Sequence, residues 1–127
     1  MIINGRAKKR GLVKVLEDGT PNFIAIDIRG NSTCCDGAQE FSNQLYRLCL
    51  RQRKIVLNLR EGYRFDSAGV TILSLFAYRR PSTDIYICGS SAEIKSWLDI
   101  YSNVVGTRPN IHFPEKNWLE VVRQIRV

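Results

Sequence analysis

A chain of 127 residues suits one compact domain and is too short for two ordinary ones. Its 44% hydrophobic and 24% charged residues exclude a disordered protein; no apolar run reaches the length of a bilayer-crossing helix, and Met1-Ile2-Ile3-Asn4-Gly5 lacks the apolar core of a signal peptide, so a cytoplasmic protein is expected. The net charge of +7 points to an acidic partner, a membrane surface or nucleic acid without choosing among them.

Arg6, Lys8, Lys9 and Arg10 make residues 1–10 a basic N-terminal segment ahead of one domain over residues 11–127. Leu12 to Leu16 is a short apolar segment, followed by the turn signal Glu17-Asp18-Gly19-Thr20-Pro21. Phe23 to Ile28 comes next, with Ile24, Ile26 and Ile28 alternating with Ala25 and Asp27; the two segments read as a β-hairpin ending at Gly30. Phe41, Leu45, Leu48 and Cys49 then recur at helical spacing, which predicts a helix from about Gly37 to about Gln52. Ile55-Val56-Leu57-Asn58-Leu59 is a nearly continuous apolar run, the pattern of a central strand covered on both faces.

After Asp66-Ser67 the pattern is helical to about Arg80, and Pro81 ends it because proline continues no helical ladder. Asp84 to Cys88 reads as a strand. Gly89-Ser90-Ser91 leads into a third helix carrying Ile94, Trp97, Leu98 and Tyr101 on one face, capped by Ser90 or Ser91. Ile111-His112-Phe113 predicts a last strand, and Trp118, Val121, Val122 and Ile125 a terminal amphipathic helix. The order β-β-α-β-α-β-α-β-α implies an α/β domain: a mixed, largely parallel sheet with about four helices packed on it.

The cysteines Cys34, Cys35, Cys49 and Cys88 contain no C-x-x-C pair, and a vicinal pair suits neither a disulfide framework nor a structural zinc site. Cys49 and Cys88, each in an apolar run, read as small buried hydrophobes in a reducing compartment. No metal or cofactor is expected.

The segment that carries chemistry is Asp66-Ser67-Ala68-Gly69, at a strand-to-helix junction where loops are exposed and helix N–H groups are free. Ser67 is placed to cap the helix after it, and Asp66 sets a negative charge near the positive end of the helix dipole. Taken alone, these residues do no more than cap a helix. In the following helix Val70, Ile72, Leu73, Phe76 and Ala77 share the core-facing arc; Thr71, Ser74 and Tyr78, with Leu75 at the flank, form the expected contact surface beside Ser67.

Within this order of elements, Phe65-Asp66-Ser67-Ala68-Gly69-Val70 resembles the signature turn of the STAS domain of bacterial anti-sigma factor antagonists. Phe23 to Gly30 resembles that family's second strand, Ile55 to Leu59 the strand before the motif, and Ile85 to Gly89 with Ser90 to Ile94 and Trp97-Leu98 the strand and helix after it. The resemblance implies that Ser67 is phosphorylated by a serine kinase doubling as anti-sigma factor, and dephosphorylated by a phosphatase. The unmodified form binds the kinase and frees the sigma factor; the phosphorylated form lets go. Two positions depart from the family: Asn58 stands where many relatives carry an aspartate, and Arg64 where a neutral residue is common. The chain is also basic where familiar antagonists tend to be acidic.

Three other readings compete. STAS domains also serve as non-phosphorylated adaptors, in lipid-transport ATPase complexes or on anion transporters. Arg47, Arg51, Arg53 and Lys54, around the end of the first predicted helix, raise nucleic-acid binding, but cations there also satisfy a helix C-terminus and no stacking aromatics are interleaved. An enzyme is disfavoured, because Ser67 has no base close in sequence and His112, the single histidine, falls in a strand.

Overall fold

The computed structural model describes residues 13–28, 36–59, 67–89, 95–96, 99–100 and 110–126, with the backbone alone at 36–38 and 67–70. Five strands, β1 (Val13–Gly19), β2 (Phe23–Ile28), β3 (Lys54–Leu59), β4 (Asp84–Cys88) and β5 (Ile111–His112), form one mixed sheet in sequential order. Among the described residues three helices accompany them: α1 (Asp36–Cys49), α2 (Ser67–Arg79) and α3 (Trp118–Arg126). The third helix predicted from sequence lies mostly outside the described residues; residues 95–96 and 99–100 of it are helical.

β1 pairs antiparallel with β2, and β2, β3, β4 and β5 run parallel in successive pairs. Each parallel step moves one strand in the same direction, so right-handed crossovers stack their helices on one face of the sheet. That face buries Ile24, Ile26, Ile28, Ile55, Leu57, Ile85 and Ile87 against Phe41, Leu45 and Cys49 of α1 and Leu73, Phe76 and Ala77 of α2. α3 follows the last strand and covers the opposite face, where Val121 and Val122 pack on Phe23, Ala25, Val56 and Cys88. β3 is thus buried from both sides, as its unbroken apolar run requires. Its cysteine neighbours are inert: burial pushes the thiols of Cys49 and Cys88 up to about 12 and about 11.

Local chemistry explains where element ends differ from the sequence pattern. The hairpin turn is shorter than predicted, because Glu17, Asp18 and Gly19 still pair with β2 beyond a bulge after Val15. An edge strand tolerates such charges and irregularity. The Asp18 carboxylate accepts from the backbone N–H and hydroxyl of Thr20, which hold its pKa below the ordinary value. α1 stops at Cys49 rather than near Gln52, since the Gln52 N–H folds back onto the Cys49 carbonyl (3.2 Å) and Arg53 N–H bonds to Pro21 (3.1 Å) to enter the sheet. α3 opens with a reciprocal cap: Asn117 Oδ1 accepts from the Glu120 N–H (2.9 Å) and Glu120 Oε1 from the Asn117 N–H (3.2 Å).

Candidate functional site at the start of helix α2

β3 carries the chain to one end of the sheet, and α2 begins at Ser67 on the way back. Its N-terminus therefore stands at the carboxyl ends of the parallel strands, the usual place for function in an open α/β sheet. The helix begins at Ser67 rather than after it, a difference of one residue that leaves the position before the first helical residue to Asp66. Asp66 lies outside the described residues, and of Ser67, Ala68 and Gly69 the backbone places the first helical turn. That turn contains no acidic residue, so nothing within the helix offsets the positive end of its dipole.

The rest of α2 divides sharply. Leu73, Phe76 and Ala77 are buried, as the spacing predicted, and Phe76 meets Tyr46 of α1 edge-on with centroids 5.0 Å apart. Leu75 and Tyr78 are 43% and 58% exposed, and Thr71 is half-buried. Ser74, expected on the contact surface, is only 3% exposed, and among the described residues its hydroxyl has no hydrogen-bond partner. The correction has a geometric cause: Ser74 is about 100° around the helix from Leu73 and about 60° from Ala77, at the border of the core stripe. The exposed face of α2 beyond Ser67 therefore includes Leu75, Tyr78 and the open part of Thr71. Eleven residues make about three turns, so position 78 lies about 16 Å along the same side of the helix as position 67.

A polar pair missed by pattern reading underlies this end of the sheet. Asp27 reads in sequence as the polar member of an alternating strand, yet it is fully buried, and its carboxylate accepts a hydrogen bond from the Asn58 amide (2.9 Å). The two residues are register partners on β2 and β3, one step before the strands end. Alongside, Gly89 closes β4 at φ +76°, and a Cβ there would lie 2.6 Å from the Leu59 carbonyl oxygen. The signal for Asp27 was its place among three isoleucines in a strand with both faces covered.

Asn110 is the second residue the pattern did not mark. Its buried amide nitrogen donates to the carbonyls of Ala77 (3.2 Å), Arg80 (3.2 Å) and Thr83 (2.9 Å), closing the carboxyl end of α2 and the turn after it. His112 lies on the edge strand, facing the α3 side of the sheet. It contacts Asp84 at 3.0 Å and stacks on Tyr86, while Lys54 holds the other Asp84 oxygen at 3.6 Å. The sheet stands between this cluster and the layer containing α2, so His112 is not positioned as a base for Ser67.

No protein-family model matches this chain, and no curated protein matches it. Among the described residues, no group of three His, Cys, Asp or Glu side chains shares a metal-sized space, and no helix is long and apolar enough to cross a membrane.

Proposed function

We propose that this is a STAS-type domain acting as a cytoplasmic protein-binding switch, set by phosphorylation of Ser67 and read by an anti-sigma factor/serine kinase, with a phosphatase resetting it. The observation that carries the reading is that the motif serine opens the helix emerging from the central strand, at the carboxyl end of the parallel strands. The full STAS arrangement adds a fourth helix between β4 and β5.

A phosphate of about −1.5 to −2 charge at a helix N-terminus meets free N–H groups and a favourable dipole, so modification leaves the domain folded. Its effect falls on the interface. Leu75 and Tyr78 offer an aliphatic and an aromatic anchor on the same helix, and aromatic anchors dominate binding energy. Desolvating a dianion at the start of the helix that carries them, under a partner spanning both, costs several kcal/mol, enough to release a micromolar complex.

Affinity capture from the native cell, with wild type, Ser67→Ala and Ser67→Asp as baits, tests the reading. A serine kinase retained by the first two and lost from the third is expected. A transport-complex subunit captured equally by all three supports the adaptor role instead.

A further inference from the structure

We propose that the end of the domain opposite Ser67 is a face that binds the phosphate backbone of double-stranded nucleic acid. The topology builds it. Among the described residues, every parallel strand starts at this end and each of α1, α2 and α3 finishes there, so basic residues scattered in sequence converge. Arg47 comes from the last turn of α1, Arg51 and Arg53 from the connection between α1 and β3, Arg79 from the end of α2, and Arg123 and Arg126 from the last turn of α3. All six are exposed.

Two of the three acids at the same end are ion-paired, Glu17 with Arg126 and Asp84 with Lys54 and His112, while Asp18, hydrogen-bonded to Thr20, leaves one negative charge lining a concavity with Arg47 and Arg51. Among the described residues no carboxylate reaches Arg47, Arg51, Arg53 or Arg123, while Arg79 donates to the Tyr46 hydroxyl (3.2 Å). Between α3 and the strand starts lies a concavity of about 290 Å³ lined by Asn22, Phe23, Arg53, Lys54, Ile125 and Arg126, large enough to seat a phosphate group.

Cations at helix ends satisfy the helix dipole, but Arg51 and Arg53 lie beyond α1, and the other ends belong to different layers. Helix and sheet layers pack about 10 Å apart, so the charge spreads over roughly 20 Å, too wide for one small anion. Six of the cations at this end are arginine, with Lys54 beside them in the concavity, and the arginine fork pairs two-fold with phosphate. Phe23 is buried beneath Arg126, which leaves no stacking platform beside the concavity and favours a paired backbone over splayed single strands.

The test is fluorescence anisotropy with a labelled random-sequence DNA duplex of about 20 base pairs, titrated with the full chain between about 50 and about 200 mM salt. About five phosphate contacts give a slope near −4.5 in log K against log salt, an affinity loss of roughly 500-fold across that range. The variant Arg47→Gln/Arg51→Gln/Arg53→Gln, verified as folded by circular dichroism, is expected to bind at least about tenfold more weakly, with a slope shallower by about 2.7. Ser67→Asp is expected to leave duplex binding unchanged, which separates this face from the switch. Any of three results overturns the proposal: no binding at the lowest salt, an unchanged slope in the triple variant with loss only on neutralising Arg6, Lys8, Lys9 and Arg10, or binding to phosphatidylglycerol vesicles but not to duplex.

Discussion

Replacing Asn58 with aspartate turns the buried hydrogen bond to Asp27 into a contact between two carboxyl groups. In the native protein the Asn58 amide donates to a fully buried Asp27 oxygen at 2.9 Å. In Asn58→Asp, a proton held between the two oxygens replaces that bond at low pH; at neutral pH both groups are driven to ionise. Two unit charges about 4 Å apart at an effective dielectric near 20 repel by about 4 kcal/mol, and the half-buried setting of Asn58 trims this to about 2–4 kcal/mol. Proton affinity at the site is raised above its unfolded value, so stability is preserved below the ordinary carboxylate range near pH 4 and lost as pH rises above it. Urea unfolding followed by circular dichroism at about pH 4.5 and pH 7.5 measures the difference. The variant is expected to match wild type within about 1 kcal/mol at the lower pH and fall about 2–4 kcal/mol below it at the higher. An equal loss at both values refutes the shared contact, and so does no loss at either.

Other consequences follow from individual residues. Asn110→Ala leaves three carbonyls at the end of α2 without their shared donor and is expected to lower unfolding free energy by about 2–3 kcal/mol in urea titrations. Ser74→Ala removes a buried hydroxyl that has no partner among the described residues; it should hold or raise stability by up to about 1 kcal/mol and leave partner affinity unchanged, whereas Tyr78→Ala should weaken partner binding tenfold or more, by about 1.4 kcal/mol. Cys49 and Cys88, with thiol pKa values near 12 and 11, should resist iodoacetamide at pH 8 until the chain unfolds. Because folding raises both values above the unfolded thiol's, the stability they contribute is intact below about pH 9 and declines as pH climbs toward 11–12, which alkaline thermal melts of wild type against Cys49→Ala and Cys88→Ala would register.

The parallel sheet was legible because burial on both faces leaves an unbroken apolar signal. Ile55–Leu59 and Asp84–Cys88 carry it plainly, and the alternating periods forced strands and helices into crossover order. Helical spacing located the buried face of α1 from Phe41, Leu45 and Cys49. It failed at Ser74, because angle along one helix does not say how far neighbouring elements reach around it. Asp27 and Asn110 were missed for a related reason: a polar residue inside a strand or loop reads as solvent-facing until its partners, Asn58 in one case and three carbonyls in the other, arrive from distant segments. The Asn117-x-x-Glu120 cap went unread in the sequence, although its spacing is that of a capping box. The arginine-rich end was half visible. Arg47, Arg51 and Arg53 cluster locally, whereas Arg79, Arg123 and Arg126 join them only through the direction in which the helices run.

The claim on which the functional account turns is that charge at position 67 governs docking without disturbing the fold. Calorimetric titration of the captured kinase into wild type, Ser67→Ala and enzymatically phosphorylated protein, with thermal melts of each, measures both halves at once. Equal affinities for the first two, a loss of at least about a hundredfold for the third (about 2.7 kcal/mol), and melts within a few degrees of one another are expected. Undiminished binding by the phosphorylated form, or its unfolding, would contradict the account.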